Sequence, residues 1–294
     1  MHTATLIASP SDANLSEEIV RRTADLLGSD SIVWLAEHIA CDIALTDLPE
    51  STEPLWAELQ EQRIDFVVQP SEGRAKRLLL ADMDSTMIQQ ECIDELAAVA
   101  GVGERVARIT ARAMNGELDF EAALRERVGL LAGLDEAVIQ QVLDTRITLM
   151  PGGPALVATM KANGAYTVLV SGGFVDFTQP IAARLGFDEN RANTLLRDGG
   201  KLTGEPATPI LGREAKVQAL KETAARLGLS VKDAIAVGDG ANDLGMLRLA
   251  GSGVALHAKP VVAAECDVRL NFADLTGLLY VQGYCAADFV DPEG

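Results

Sequence analysis

Four short, largely apolar runs constrain the fold of this chain more than any other feature of its sequence. They lie at residues 78–81, 166–170, 234–237 and 253–256. Such runs are typical of strands that are buried on both faces of a sheet. Helical patterns lie near them, at residues 154–163, 175–185, 213–227 and 243–250. This alternation predicts an α/β fold with a doubly wound parallel sheet and helices on its faces.

The stretch from residue 90 to about 146 interrupts this alternation. Its apolar residues follow only the helical period, which predicts helices over residues 92–100, 104–114, 120–131 and 136–145. A parallel sheet binds its ligands at the carboxyl ends of its strands. Because the stretch comes directly after the first apolar run, we expect a helical-bundle cap insertion, about residues 90–148, that closes over a site at that edge.

The residues before the first apolar run have a different pattern. Strand-like and helical segments alternate there, at residues 3–9, 15–28, 31–45, 53–63 and 65–69, and the third of them is long enough for a hairpin. The order βαββαβ predicts a small α+β domain of the ferredoxin-like kind. Residues 69–73 (QPSEG) are typical of a polar, turn-forming linker. We therefore predict one domain over residues 1–72 and a second over residues 73–294.

Composition limits the partners that the chain can have. Of its 294 residues, 48% are hydrophobic, which is enough to form cores and excludes intrinsic disorder. Its 43 acidic and 25 basic residues give a net charge of −18. A charge of this sign repels nucleic acids and anionic membrane surfaces, so we predict neither as a partner. An anionic substrate would need a local cluster of cations.

Nothing in the sequence indicates export or membrane insertion. The four cysteines, Cys41, Cys92, Cys266 and Cys285, lack the spacing of a metal site or a disulfide framework. The N-terminus has no basic segment followed by an apolar core, and no run of about 18 apolar residues occurs. We therefore expect a cytoplasmic protein with reduced thiols.

Two pairs of carboxylates follow the predicted strands directly. Asp82 and Asp84 lie in the segment DMDST after the first apolar run, and Asp239 and Asp243 lie in GDGAND after the third. Carboxylate oxygens are hard ligands that suit Mg²⁺. Each segment has a structural alternative, since aspartate, serine and glycine are also common in turns and helix caps. The sequence contains no GxxxxGK[ST] motif, which excludes a P-loop.

Two weaker signals accompany the carboxylates. Residues 171–173 (SGG) follow the second apolar run, where a hydroxyl and successive N–H groups at a helix start would form an anion site. Lys216 lies near the start of a predicted helix, where its charge opposes the helix dipole. This position hints at a functional lysine, although a solvated surface lysine is the alternative.

In their order along the chain, these four clusters resemble one family. Asp-x-Asp-x-Thr, a serine, a lysine and Gly-Asp-Gly-x-Asn-Asp occur in turn, three of them after apolar strands. This pattern is similar to that of the haloacid dehalogenase (HAD) superfamily of phosphotransferases over about residues 76–285. The resemblance implies a HAD core for the parallel-sheet domain.

A closer resemblance is to the phosphoserine phosphatase family within that superfamily. The residues that carry it are those around Asp82, with Glu91 nine positions later, and Phe120 and Arg127 in the helical insertion. The resemblance implies Mg²⁺-dependent hydrolysis of O-phospho-L-serine to L-serine and phosphate, the last step of serine biosynthesis. Residues 1–72 resemble, by element order alone, the ACT-like regulatory domain of longer bacterial members.

The resemblance implies a covalent mechanism. Asp82 would be the nucleophile that forms an aspartyl-phosphate, which divides one difficult step into two. Asp84 would protonate the departing serine oxygen and then deprotonate the attacking water. Mg²⁺ would lie between the Asp82 carboxylate, the Asp84 carbonyl and Asp239, with Asp243 in the outer shell.

The phosphate group needs donors and cations, because charge spreads over its oxygens during transfer. The resemblance places Ser171, the N–H of Gly172 and Lys216 around it. Asn242 would help to fix the phosphate or Lys216. These groups would supply the local positive field that a chain of net charge −18 requires.

Specificity for phosphoserine needs contacts with its amino and carboxylate groups. Glu91 would bind the ammonium, and Arg127 would hold the carboxylate in a bidentate fork. Met114 and Phe120 would shield the site from water. The structural alternatives are a first-turn helix acid for Glu91 and a surface charge for Arg127.

Two other functions stay open at this point. A phosphotransferase would deliver the phosphoryl group to a small hydroxyl acceptor such as homoserine. A non-catalytic, amino-acid-binding regulatory protein is the second alternative, although every expected catalytic position is filled. The sequence leaves open whether the N-terminal domain binds serine or another regulator. Selectivity between D- and L-phosphoserine and a homodimer are also open.

Overall fold

The N-terminal part of the chain forms a four-stranded antiparallel sheet with two helices. The computed structural model describes residues 1–48, 50–114 and 118–291, without the side chain of Met114. In it the first elements are β1 (His2–Ala8), α1 (Glu17–Leu26), β2 (Ile32–Ala36), β3 (Ala40–Leu45), α2 (Glu53–Glu61) and β4 (Ile64–Pro70). The strand order is β2-β3-β1-β4, with antiparallel pairing throughout. The predicted βαββαβ element order is thus confirmed.

The remaining elements form the rest of the chain, from β5 to α12. They are β5 (Leu78–Ala81), α3 (Cys92–Val99), α4 (Gly103–Met114), α5 (Phe120–Gly129), α6 (Ala137–Thr145), α7 (Gly153–Ala162), β6 (Tyr166–Phe174), α8 (Val175–Leu185), β7 (Glu189–Asn193), β8 (Leu195–Asp198), β9 (Lys201–Pro206), α9 (Arg213–Arg226), β10 (Ala234–Gly238), α10 (Leu244–Leu249), β11 (Ser252–Leu256), α11 (Pro260–Ala263), β12 (Val268–Leu270) and α12 (Gly277–Val281). Two single-turn 3₁₀ helices lie at Val231–Asp233 and Ala286–Asp288.

Six of these strands form the predicted parallel sheet, in the order β12-β11-β10-β5-β6-β7. Its central strand β5 is buried along its whole length. Leu79 and Ala81 pack into the core on one face, and Leu78 and Leu80 pack into the core on the other. Burial on both faces explains why the sequence of this strand is a continuous apolar run.

Some strands carry no apolar run and were not predicted. The edge strand β7 has the sequence ENRAN and is only half-buried before Asn193, and β8 and β9 form a short hairpin around Gly199 and Gly200. Strand β6 is longer than predicted and extends through residues 171–173, where its pairing with β7 is irregular. The prediction that residues 171–173 lie at a helix start is therefore wrong, because α8 begins at Val175.

The predicted helical insertion is confirmed as the four helices α3 to α6, which follow β5. Their bounds lie within about two residues of those expected from the helical period. The β8–β9 hairpin supports them from the sheet side. Leu202 accepts the N–H of Gly133 at 2.8 Å and donates its own N–H to the carbonyl of Leu134 at 2.9 Å. These hydrogen bonds attach the insertion to β9, which comes much later in the chain.

A buried carboxylate joins the N-terminal sheet to the parallel sheet. Asp65 in β4 is fully buried and accepts the N–H groups of Asn271, Phe272 and Ala273 at 2.8, 3.1 and 2.9 Å. These three residues follow β12 directly. Successive N–H groups that converge on one carboxylate replace the water it loses on burial. Asp65 therefore fixes how the two sheets contact each other at this point.

Arg74 makes a second polar contact, which joins the N-terminal sheet to helix α12. Its guanidinium binds the carboxylate of Asp42 in β3 with two hydrogen bonds, at 2.6 and 3.1 Å. The same group donates to the carbonyls of Tyr280 and Val281 in α12, each at 3.0 Å. A planar guanidinium can make all of these bonds at once because its donors point in different directions.

All four cysteines carry free thiols, and three of them are buried. Within the described parts of the chain, every helix is too short or too polar to cross a membrane.

We expect the stability of the protein to depend on pH through Asp65. Burial raises the pKa of Asp65 to about 6, despite its three N–H donors. The folded state therefore holds a proton that the unfolded chain releases, and this contribution to stability is lost as the pH rises through 6. The free energy of unfolding, measured with urea, should fall by about 1.5 kcal/mol between pH 5 and pH 7.5 relative to Asp65→Asn.

The exposed Asp30 provides the control for this measurement. Curves of unfolding free energy against pH should be parallel for the wild type and Asp30→Asn. Parallel curves for the wild type and Asp65→Asn would show that Asp65 does not titrate differently on folding.

Candidate active site

A cavity of about 310 Å³ lies at the carboxyl edge of the parallel sheet, under the cap helices. Nine of the residues predicted to be functional line it, namely Asp82, Asp84, Glu91, Phe120, Arg127, Ser171, Gly172, Asp239 and Asn242. Lys216 and Asp243 do not line the cavity but are buried next to Asp82. Met114 belongs to α4, and its side chain lies outside the described part.

A buried lysine connects the two carboxylate segments. The Nζ atom of Lys216 lies 2.6 Å from Oδ1 of Asp82 and 2.5 Å from Oδ1 of Asp243. Only 2% of the Lys216 side chain is exposed, which excludes the alternative of a solvated surface lysine. Asp82 follows β5 and Asp243 follows β10, so their proximity follows from the parallel pairing of these strands.

The charges at this point do not balance. The carboxylate oxygens of Asp82, Asp239 and Asp243 lie within 4.8 Å of one another, with one lysine between two of them. Burial and the neighbouring Asp243 raise the pKa of Asp82, against the opposing effect of Lys216. Burial and Asp243 also raise the pKa of Asp239 to about 6. Burial acts to lower the pKa of Lys216, but Asp243 and Asp82 outweigh it and raise that pKa.

This cluster of carboxylates has the composition of a divalent-cation site. Its oxygens are hard ligands, and a cation would relieve their mutual repulsion. Asp243 is already occupied on both oxygens, because Oδ1 accepts from Lys216 and Oδ2 accepts the N–H of Gly240 at 3.0 Å. Asp82 and Asp239 therefore remain the better placed of the three for direct coordination.

The chain turns sharply after Asp82, and this turn brings Asp84 into the same cavity. The carbonyl of Met83 accepts the N–H groups of three later residues, and Ser85 has a positive φ of 56°. The Asp84 carboxylate accepts the N–H of Cys92 on Oδ1 at 2.8 Å and the hydroxyl of Ser171 on Oδ2 at 3.0 Å. Asp84 thus bridges the start of α3 and the end of β6.

Phe120 from the cap lies directly over two glycines of the sheet domain. A Cβ atom on Gly172 would lie 3.0 Å from Cζ of Phe120, and one on Gly212 would lie 3.1 Å from its Cδ1. Both distances are shorter than ordinary van der Waals contact. Glycine at these two positions therefore lets the aromatic ring approach the backbone closely.

Glu91 and Arg127 face the cavity from the cap. Glu91 accepts the hydroxyl of Ser85 at 2.8 Å, and burial and Asp84 raise its pKa to about 8. Nη1 of Arg127 donates to the hydroxyl of Thr110 at 3.3 Å, and burial lowers its pKa against nearby carboxylates such as Asp94. The half-buried position of Arg127 excludes the alternative of a surface charge.

Three residues that contribute to this site were not predicted. Arg213 and Lys259 line the cavity and add positive charge, and Asn193 holds the segments around Gly172 and Leu211. Arg213 could have been suspected from its place beside Lys216 at the start of α9. Lys259 and Asn193 belong to segments without a motif, and neither residue type is unusual on a loop or an edge strand.

A parallel sheet with paired carboxylates at the ends of β5 and β10, a buried lysine between them and a helical cap defines a hydrolase with a doubly wound core and a cap. The chain belongs to the haloacid dehalogenase-like hydrolases, whose family model matches residues 79–248.

Relatives within this family are similar over most of the chain. A phosphoserine phosphatase of Streptomyces coelicolor is 39% identical over 286 residues, which are 95% of this chain and 70% of that protein. A phosphoserine phosphatase of Haemophilus influenzae is 44% identical over 222 residues, which are 76% of this chain and 69% of that protein.

Solved structures show the same fold. A HAD family hydrolase of Salmonella enterica serovar Typhi has a TM-score of 0.84 at 33% identity and covers 96% of this chain and 98% of its own. A substrate-bound phosphoserine phosphatase has a TM-score of 0.67 at 39% identity, with 70% and 97% covered. A phospho-aspartyl intermediate analogue of phosphoserine phosphatase has a TM-score of 0.66 at 40% identity, with 70% and 98% covered.

We expect Lys216 to be needed for folding as well as for chemistry. Replacing it in Lys216→Met leaves Asp82 and Asp243 buried without their cation, which costs about 3–5 kcal/mol when a buried pair is broken. Urea unfolding in a buffer with EDTA measures this loss. The control is Lys221→Met, which removes an exposed lysine of the same helix and should change stability by less than about 0.5 kcal/mol. Equal stabilities of the two variants would contradict the role of Lys216.

Proposed function

We propose that this chain is a phosphoserine phosphatase, which hydrolyses O-phospho-L-serine to L-serine and phosphate. One observation carries the proposal. The same cavity holds Asp82 and Asp84 on the sheet side and Glu91 and Arg127 on the cap side. The first pair suits phosphoryl transfer, and the second suits an ammonium and a carboxylate. The names of the relatives in both comparisons support the same substrate.

Asp82 and Asp84 divide the reaction between them. Asp82 attacks the phosphorus atom, its bond to the serine oxygen breaks, and an aspartyl-phosphate forms. Asp84 gives a proton to the departing serine oxygen, which would otherwise leave as an unstable alkoxide. Asp84 then takes a proton from the water that attacks the phosphorus and releases phosphate, which restores both carboxyl groups.

Mg²⁺ is the cation that we propose for this site. Asp82, Asp239 and the backbone carbonyl of Asp84 would hold it, with Asp243 in the outer shell. Once bound, the ion would neutralise charge on the phosphoryl oxygens. The oxygen-only donor set and the raised pKa of Asp239 support a hard divalent cation here.

The phosphate group binds between the sheet loops. The N–H of Gly172 donates a hydrogen bond to it, and Ser171 and Asn242 line the same part of the cavity. Lys216 has three hydrogens, of which Asp82 and Asp243 accept two, so one remains for a phosphate oxygen. These donors offset the repulsion that a net charge of −18 exerts on an anionic substrate.

The cap recognises the serine part of the substrate. Glu91 binds the ammonium, whose charge favours the ionised form of a carboxyl group with a pKa of about 8. Arg127 binds the carboxylate, and Phe120 keeps water away from the reacting groups. A phosphate ester without the amino acid part would use the sheet side of the cavity alone.

We propose different roles for the two parts of the chain. We assign the chemistry to residues 73–294, with the cap at about 90–148, and we assign a regulatory, ACT-like role to residues 1–72. The βαββαβ element order and antiparallel sheet of the N-terminal part support this assignment.

Phosphate release from O-phospho-L-serine tests the proposed function. Release should be fast with Mg²⁺ and absent with EDTA, and it should exceed that from a panel of small phosphate esters. Asp82→Asn should lower the rate by about 1,000-fold or more, because an amide is a poor nucleophile. The exposed Asp30→Asn should keep full activity. Release that requires an added alcohol would instead identify a phosphotransferase.

Arg127→Ala tests the proposed carboxylate contact. A charged hydrogen bond contributes about 1.5–3 kcal/mol, so KM for phosphoserine should rise by about 10- to 100-fold. For O-phosphoethanolamine, which lacks the carboxylate, KM should change by less than about threefold. Arg125→Ala removes an exposed arginine of the same helix and should leave both values unchanged. Equal effects of Arg127→Ala on the two substrates would exclude the proposed contact.

A further inference from the structure

Asn193 is a buried amide behind the active site, and the proposed mechanism does not use it. It ends the edge strand β7, and only 3% of it is exposed. Its Oδ1 accepts the N–H of Leu211 at 2.7 Å, and its Nδ2 donates to the carbonyls of Leu211 at 3.1 Å and Gly172 at 2.9 Å. A buried amide with three hydrogen bonds to the segments at Gly172 and Leu211 fixes both segments relative to β7.

The hydrogen bond to Gly172 orients the peptide between Gly172 and Gly173. In a trans peptide the C=O and the following N–H point in opposite directions. Because the carbonyl of Gly172 points at Asn193, the N–H of Gly173 points away from it, and it donates to Oγ of Ser171 at 2.8 Å. Two adjacent glycines have wide backbone freedom, so contacts at both sides of this peptide are needed to hold it.

Oγ of Ser171 connects this peptide to Asp84. Oγ of Ser171 accepts from Gly173, so its own hydrogen can be donated, and Oδ2 of Asp84 lies 3.0 Å away. A continuous series of hydrogen bonds therefore runs from Asn193 through the Gly172–Gly173 peptide and Ser171 to the carboxylate of Asp84.

We propose that Asn193 is a positioning residue for proton transfer by Asp84. It holds Ser171 so that Oδ2 of Asp84 faces the oxygen of the departing serine, to which Asp84 gives its proton as the phosphorus–oxygen bond breaks. This inference rests on the proposed function, in which Asp84 is the acid and base. Asn193 itself does not touch the substrate, since it does not line the cavity within the described residues.

A purely structural role makes a different prediction. Asn193 also holds Leu211 next to Gly212, on which the ring of Phe120 lies. In such a role Asn193 would serve only to maintain the shape of residues 171–173 or the contact with Phe120. In that case its replacement would slow the reaction of every phosphate ester by the same factor. If it positions the acid, the loss depends on how much the leaving group needs a proton.

The test compares two substrates that differ in this need. The serine oxygen of O-phospho-L-serine needs a proton to leave, whereas the nitrophenolate of 4-nitrophenyl phosphate leaves without one. The value of kcat/KM covers the steps up to phosphoryl transfer to Asp82, so it reports the proton transfer to the leaving group and not the later hydrolysis. The ratio of the two kcat/KM values therefore measures the contribution of proton transfer to the leaving group.

Two variants of Asn193 are compared with a control. Asn193→Leu removes all three hydrogen bonds and keeps the branched shape of the side chain. Asn193→Asp keeps the acceptor for Leu211 N–H but replaces the donor to Gly172, and it serves if the leucine variant does not fold. Asn190→Leu removes an amide of the same strand that accepts from Thr178 in α8 at 2.9 Å. Thermal unfolding shows which variants are folded.

We expect kcat/KM for phosphoserine to fall by about 30-fold in a folded Asn193 variant, since general acid catalysis contributes 10²–10⁴-fold and the acid is displaced, not removed. For 4-nitrophenyl phosphate the loss should be about threefold or less. In the background of Ser171→Ala, where the series is already broken, Asn193→Asp should leave the ratio unchanged. Asn190→Leu should change neither substrate.

Equal losses for both substrates, or a change of the ratio that persists in the Ser171→Ala background, would overturn the inference and leave the proposed function intact. A wild-type protein that releases phosphate from neither substrate would overturn the proposed function, and the inference with it.

Discussion

The arrangement of the site depends on the ammonium group of Lys216. It lies between carboxylates that come from the ends of β5 and β10, and almost none of it is exposed. Carboxylates at this depth are costly unless a cation is in direct contact with them. One lysine for three carboxylates leaves the cluster short of positive charge. The surplus negative charge of this cluster favours a divalent cation over a neutral ligand.

Chemistry and recognition come from different parts of the chain, and Asp84 connects them. One of its oxygens accepts from Cys92 at the start of the cap, and the other accepts from Ser171 at the end of β6. Movement of the cap would therefore shift Asp84 directly. Glu91 precedes Cys92 and accepts a hydrogen bond from Ser85, next to Asp84 in sequence. In the proposed function, binding of the substrate ammonium at Glu91 would thus be coupled to the position of Asp84 through fewer than ten residues of chain.

The sequence predicts the parts of this protein in which one residue type serves one local purpose. Continuous apolar runs predict the buried strands, and carboxylates directly after such runs predict the candidate site. Lys216 gave only a faint signal, because its burial depends on two aspartates that are 27 and 134 positions away. Asn193 gave none, since its partners at 172 and 211 are neighbours only after β6, β7 and α9 have come together. Long-range polar contacts carry no periodicity, and the edge strand that holds Asn193 has no apolar run.

Phe120 shows why the cap and the sheet domain must be considered together. A Cβ atom on Gly172 or Gly212 would lie 3.0 or 3.1 Å from its ring, and Asn193 joins the segments at both glycines through hydrogen bonds to Gly172 and Leu211. The amide holds the two backbones at one spacing, and the ring fits only if that spacing is kept. A side chain on either glycine would push the ring away and open the cavity to water. The glycines, the aromatic ring and the buried amide therefore form one unit. In this unit, the backbone geometry at Gly172 and Gly212 also sets how closely the cap can approach the sheet domain.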